Sequence, residues 1–202
     1  MIELENLSYA YPGTAAQGQL NHVTLNIADG ECILLTGVSG CGKTTLTRVL
    51  NGLCPQFYGG RLEGSYRING KDAARTPVHE LGTLVGSVFQ DPRSQFFATN
   101  TTDELVLGME NIPLPRAEMQ KRVREISAWM DMERLLDRRI FPLSSGEKQR
   151  LAVASVCAME PGTLVLDEPS ANLDGEAVQR LSTLLLRLKE RGHTIVLSEH
   201  RF

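Results

Sequence analysis

Apolar residues alternate with polar ones, with one step of three in each, in two stretches near the start of the chain, IELENLSY and LNHVTLNI, close to the period of a strand with one covered face. They predict two strands of an antiparallel layer, joined by the Gly-rich, polar turn around YPGTAAQG. LEGSYRI reads as a third strand closing on Asn69-Gly70, a strong hairpin signal. Four further apolar runs do not alternate: CILLT (32 to 36), LVGSVF (84 to 89), TLVL (163 to 166) and TIVLS (194 to 198). Short, β-branched runs of this kind are how strands covered on both faces of a parallel sheet read.

Helical spacing separates these runs. Leu46, Val49 and Leu50 follow the first, and Val178, Leu181, Leu184, Leu185 and Leu188 precede the last, where Gly192 with Arg191 beside it marks a helix stop. Strands alternating with helices predict an α/β fold with a mainly parallel core sheet, an N-terminal antiparallel β subdomain and an inserted helical subdomain. In the insertion, TTDELVLGMEN reads as a short helix, and PRAEMQKRVREISAWM puts Met119, Val123, Ile126 and Met130 on one stripe. That stripe, with Trp129 beside it, is expected to be packing rather than a cofactor site. The expected organisation is one domain over 1–202, with 1–90 and 159–202 forming the core and β layer and about 91–158 the helical part.

Composition narrows the picture without changing it. A chain of 202 residues, 42% hydrophobic and 22% charged, has the make-up of an ordinary globular domain. Its formal net charge is -3 and its Lys and Arg are scattered, which disfavours a nucleic-acid groove. The four cysteines, Cys32, Cys41, Cys54 and Cys157, have no metal-binding spacing and are expected to be buried thiols of a reduced, cytosolic setting. No apolar run approaches the roughly 18 residues of a membrane span. The start, MIELENL, lacks a signal-peptide pattern, so any membrane role is expected to run through a partner.

The candidate chemistry begins at GVSGCGKT, Gly37 to Thr44, which fits G-x-x-x-x-G-K-[ST] directly after a strand run and directly before a helix. Glycines let successive backbone N–H groups face phosphate oxygens, and the helix start adds its positive dipole end. Lys43 then supplies a mobile point charge, and Thr44 a ligand for Mg²⁺. Gln90, Asp167, Glu168 and His200 each follow a predicted strand, so in a parallel sheet they share the edge where ligands bind. Phosphoryl transfer to water assigns their roles. Asp167 holds Mg²⁺, Glu168 polarises the attacking water, Gln90 offers an amide to metal or water, and His200 hydrogen-bonds the terminal phosphate. LSSGEKQR (143 to 150) opens a helix instead. Ser144, Ser145 and Gly146 there are consistent either with an ordinary N-cap or with a second anion site.

Taken together these motifs resemble those of the ATP-binding subunit of an ATP-binding cassette (ABC) transporter, over essentially the whole chain. GVSGCGKTT resembles the family's Walker A, FQDP its Q-loop, LSSGEKQR its signature, TLVLDEP its Walker B with catalytic glutamate, SANLD its D-loop and SEH its switch histidine. The resemblance implies the ABC ATPase form of the P-loop NTPase fold, ATP and Mg²⁺ as cofactors, and hydrolysis of ATP. It implies nucleotide contacts from Gly37, Ser39, Gly40, Cys41, Gly42, Lys43, Thr44 and Thr45, with Tyr11 stacking on adenine. It places Thr44, Gln90 and Asp167 at the metal, and Lys43, Gln90, Glu168 and His200 in catalysis. It further implies head-to-tail pairing with a second cassette, identical or dissimilar. Ser144, Ser145, Gly146 and Glu147 of one cassette would then close on the other's ATP.

Ser145 and Glu147 depart from the family's usual LSGGQ, adding a side chain and a negative charge where the phosphate would lie. The stretch VFQDPRSQFFATNTTDELVLGMEN, with Gln95, and the ending SEHRF are similar to ATPases of energy-coupling factor importers, which take up vitamins and transition-metal ions in prokaryotes. The implied partners are integral membrane subunits at the cytoplasmic face of the cell membrane, and no nucleic acid. A further strand and helices are expected after the histidine loop, as in a shortened cassette or one half of a tandem protein. The alternatives are a non-transport cassette, whose DNA-repair forms carry a long coiled coil absent here, and a binding module with a degenerate site.

Overall fold

A computed structural model describes residues 1–13 and 19–200. The middle of the expected turn, residues 14–18, and the last two residues of SEHRF lie outside the described residues. By contacts the chain divides into two units. The first comprises Met1–Ser87, Gly162–Glu168 and Leu188–Phe202, and the second Val88–Pro161 and Pro169–Arg187.

The chain opens with β1 (Ile2–Ala10), β2 (Leu20–Ile27), β3 (Cys32–Leu35), α1 (Lys43–Leu50), α2 (Leu53–Gln56), β4 (Arg61–Ile68) and β5 (Lys71–Asp72). Then come α3 (Val78–Leu84), β6 (Val85–Val88), α4 (Thr101–Glu110), α5 (Arg116–Trp129), α6 (Ser145–Cys157), β7 (Thr163–Asp167), α7 (Gly175–Glu190) and β8 (Thr194–Ser198). The expected antiparallel layer is present as a four-stranded sheet in the order β2-β1-β4-β5. The second sheet runs β3-β8-β7-β6, with β3 and β7 both parallel to β8.

Alternation in β1 sends Ile2, Leu4, Leu7 and Tyr9 into the first unit's core, where they join Leu46, Val49 and Leu50 of α1, Val165 of β7 and Val196 of β8. Burying each such aliphatic side chain is worth about 1.5–3 kcal/mol. The tyrosine hydroxyls of this core are satisfied, Tyr66 donating to Leu50 O at 2.6 Å and Tyr9 to Gly59 O at 2.7 Å. In the second unit, the Val123, Ile126 and Met130 stripe of α5 is buried as packing, while Met119 is half-buried. α4 starts where Asn100 caps it, its side chain accepting from Asp103 N at 2.9 Å. Among the described residues no helix is long and apolar enough to cross a membrane.

Three expectations are corrected. CILLT is not covered on both faces: exposure alternates along β3, with Cys32 exposed and Leu34 45% exposed on one face. LVGSVF is not all strand, because Leu84 closes the unforeseen helix α3 and the strand begins at Val85. Burial of the cysteines holds for Cys54 and Cys157 only, while Cys32 at the β3 edge and Cys41 in the loop after it are exposed.

Candidate functional site

The strand register sets Leu35, Ser198 and Asp167 side by side at the C-terminal ends of β3, β8 and β7. Residues following those ends therefore meet at one edge of the sheet, the general location of ligands in open α/β folds. Between β3 and α1 the chain turns through Ser39, Gly40 and Cys41, all exposed, to Gly42. Gly42 precedes α1 with φ of 101°, and a Cβ there would come within 2.9 Å of Gln19 O and 3.1 Å of a Leu20 methyl. The left-handed backbone and the close approach both demand glycine. No side chain caps α1, so its first-turn amides remain available to an anion.

Lys43 is 8% exposed. Its Nζ donates to Gly37 O at 2.8 Å and Val38 O at 3.3 Å, and lies 3.2 Å from His200 Nδ1. Among the described residues no carboxylate forms an ion pair with it. A buried ammonium held by carbonyl dipoles, a ring nitrogen and, at 3.9 Å, the Cys41 sulfur is costly to desolvate, and an incoming phosphate would supply the missing negative charge. His200 Nε2 meets Glu168 Oε1 at 2.6 Å. With Nδ1 accepting from Lys43, the network assigns the proton to Nε2, and the neutral imidazole links cation to carboxylate.

Thr44 Oγ1 donates to Asp167 Oδ1 at 3.3 Å. These are hard oxygen donors, and among the described residues no cluster of three or more His, Cys, Asp or Glu is placed to hold a metal by itself. That donor set fits Mg²⁺, which is commonly held by one or two protein oxygens together with substrate phosphates and water. Tyr11 is half-buried, its hydroxyl 3.5 Å from Thr45 Oγ1 and accepting from Arg48 at 3.0 Å. Its ring meets Tyr9 and Tyr58 edge-on, at centroid separations of 4.9 and 6.2 Å.

Gln90 and the signature residues belong to the second unit. Gln90 is exposed, in a loop tied by Gln95, whose Oε1 accepts from Phe89 N at 3.2 Å. The buried Glu104 holds the continuation, accepting from Phe97 N at 3.0 Å and Ala98 N at 2.9 Å through Oε2. At the start of α6, LSSGE forms a capping box. Ser144 Oγ accepts from Glu147 N at 3.2 Å, while Glu147 Oε2 accepts from Ser144 N and Ser144 Oγ, each at 2.9 Å. The amides of Ser145 and Gly146 are the first-turn donors outside the box. Gly146 is needed for packing, because a Cβ on it would lie 3.0 Å from Ala177 Cβ on α7. Ser144, Ser145 and Gly146 line a groove of about 820 Å³ that also takes in Asn172, Asp174 and Arg180.

Glu147 closes the box as the glutamine of LSGGQ could also do, so this departure changes the charge at the helix start and leaves the cap in place. Its hydrogen bond from the Ser144 backbone holds its pKa below the ordinary 4.5, and the Ser144 hydroxyl adds to this. A depressed carboxylate stabilises the fold above its unfolded pKa, and that contribution is lost as pH falls through the folded value. Glu147→Ala is therefore expected to cost about 1 kcal/mol at pH 7, the usual worth of a cap. Glu147→Gln should lessen the loss of stability below pH of about 4.5, its ordinary value. Urea melts of both variants between pH 3 and 7 check this.

Three residues with evident structural roles escaped the sequence. Lys148 is buried and donates to Phe141 O at 2.8 Å and Leu143 O at 2.6 Å, fastening the loop that leads into Ser144. Its place on the same helical stripe as Leu151 and Ala152, a cation on an apolar face, was the available signal. Glu104, beside Leu105 in TTDELVL, offered a similar one. Ser198 gave none, because a serine ending an apolar strand is unremarkable in sequence.

With this geometry in hand, comparison with known proteins places the chain. The family model described as "ABC transporter" matches residues 20–171. An ABC transporter ATP-binding protein of Treponema denticola is 45% identical over 100% of this chain and 41% of its own length. One of Methanosarcina mazei is 43% identical over 100% of this chain and 34% of its own. The chain thus spans well under half the length of these curated relatives. Among solved structures, cbiO1 of Clostridium perfringens, part of the ABC transporter complex cbiONQ, is 33% identical with a TM-score of 0.86, covering 99% of this chain and 78% of that one. An ATP-binding cassette seen as a dimer bound to ADP and Pi is 25% identical with a TM-score of 0.82, covering 100% of this chain and 88% of that one.

Proposed function

We propose that this chain, which belongs to the ABC transporter family, binds and hydrolyses ATP to power a membrane transporter. The observation that carries the proposal is the buried Lys43 ammonium, without a carboxylate partner among the described residues, beside the Thr44–Asp167 pair and the Glu168–His200 pair. The loop amides and Lys43 hold the triphosphate; Thr44 and Asp167 hold Mg²⁺, which when bound neutralises phosphate charge. Glu168 accepts the proton of the attacking water. His200 keeps that carboxylate oriented through the single N–H of its neutral ring, and reaching the terminal phosphate requires that N–H to turn away from Glu168. Tyr11 supports adenine.

The Ser145 and Gly146 amides complete a second cassette's site across a head-to-tail pair, with the exposed Ser145 hydroxyl as a further donor and Ser144 and Glu147 holding the helix start in shape. The finer assignment is an energy-coupling factor type importer of a vitamin or metal ion, working with membrane subunits at the cytoplasmic face. It draws support from the likeness to cbiO1 and from the stretch around Gln90 and Gln95. One observation favours the alternative of a module that binds ATP with little turnover: the Glu147 carboxylate adds negative charge at the signature helix start, where it occupies the N-cap amide of Ser144.

ATP hydrolysis with Mg²⁺, followed against protein concentration, tests the proposal. A rate rising faster than linearly, together with ATP-dependent dimers on sizing, is expected of a self-pairing motor. Tight ATP binding with negligible rate and no dimer, even when a dissimilar cassette is supplied, would leave the binding module standing.

A further inference from the structure

Ser198 ends β8 directly opposite Asp167 in the strand register and is completely buried. Its hydroxyl donates to Asp167 Oδ1 at 2.5 Å and accepts from Glu168 N at 3.0 Å. Its own carbonyl accepts from the same Glu168 N–H, also at 3.0 Å. A serine hydroxyl has one proton to give and two lone pairs to receive, so this one is committed to both acidic residues at once. Each commitment has a visible consequence. Asp167 Oδ1 is the atom that also accepts from Thr44, so the Ser198 bond fixes the carboxylate rotamer toward the threonine. Glu168 has φ of 45°, a left-handed backbone that a residue with a Cβ adopts only when its surroundings hold it there. The shared N–H bond to Ser198 is such a hold, and it directs the Glu168 side chain toward His200.

We infer that Ser198 is a positioning residue which, through one hydroxyl, orients Asp167 for the metal and holds Glu168 in its working backbone conformation. This deepens the proposed ATPase reading and rests on it. Outer partners of metal-holding carboxylates typically change metal affinity by about 10- to 100-fold when removed, because the ligand must then be ordered on binding. The same loss should spare contacts made by the loop amides and Lys43, none of which involve Ser198. Ser198→Ala is therefore expected to separate metal binding from nucleotide binding.

The test uses the full chain with a β,γ-imido analogue of ATP, measuring Mn²⁺ binding by paramagnetic resonance and metal-free nucleotide binding in EDTA. Ser198→Ala should weaken Mn²⁺ binding about tenfold, while metal-free nucleotide affinity stays within about twofold of the parent. Ser198→Cys, which keeps a side chain beyond Cβ but has a weak donor, should follow Ala and guards against a folding defect of the smaller residue. Unchanged Mn²⁺ affinity in folded variants would overturn the inference, and so would parallel loss of metal-free binding in both, the mark of a merely structural serine. Asp167→Asn separates the two levels. If it weakens Mn²⁺ and Ser198→Ala does not, only the role of Ser198 falls. If Asp167→Asn itself leaves Mn²⁺ unaffected, the metal assignment falls and takes this inference with it.

Discussion

Glu168→Gln is expected to reduce ATP turnover by about 10²- to 10⁴-fold, the usual contribution of a positioned general base, while leaving ATP affinity within a few-fold. The amide keeps the shape of the carboxylate and retains an oxygen to accept from His200 Nε2, which lies 2.6 Å from Glu168 Oε1. The held backbone of Glu168 is likewise untouched, since its N–H bonds run to Ser198 and do not involve the side chain. What the substitution removes is the ability to take a proton from water. Phosphate release measured beside nucleotide binding reads the two effects separately, and sizing with ATP should show a longer-lived dimer. Turnover within a factor of ten of the parent would mean that another group acts as base.

Lys43→Ala is expected to act on the other side of that division and weaken ATP binding. Charge-assisted hydrogen bonds contribute roughly 1.5–3 kcal/mol each, so losing one corresponds to roughly 10- to 150-fold in affinity. The fold should tolerate the change well. Lys43 bonds Gly37 and Val38 carbonyls in the exposed loop, where water can replace it, and it is held by no carboxylate ion pair among the described residues. Calorimetric titration with ATP, with a thermal melt as control, checks both halves. Unchanged affinity would remove Lys43 from the phosphate site. Lys43→Arg is not expected to restore binding, because a planar fork differs in shape from a compact ammonium.

The sequence by itself determined the two sheets in outline, the helical insertion and the phosphate loop. These depend on local periods, and a period close to two in IELENLSY or an apolar stripe in REISAWM constrains the chain wherever it sits. It also placed Asp167, Glu168 and His200 after strand ends, which with parallel pairing suffices to bring them to one edge. Short-range patterning could not give the neighbours of a strand. CILLT reads like a doubly covered strand, yet one face of β3 is open at Cys32 and Leu34, and α3 is only seven residues long with no clear period.

The tertiary structure alone decided how the polar groups are partnered. That Ser144 and Glu147 close a box depends on rotamers, although their spacing permitted it. That Lys43 is buried without a counter-carboxylate, that His200 lies between it and Glu168, and that Ser198 serves two acidic residues, all depend on strands brought together from residues 32 to 200. Hydrogen bonds reach about 3 Å, and no sequence period encodes which side chains come that close across a sheet. The sequence therefore named most of the acting residues, while the register of β3, β8 and β7 determined which atoms they act through.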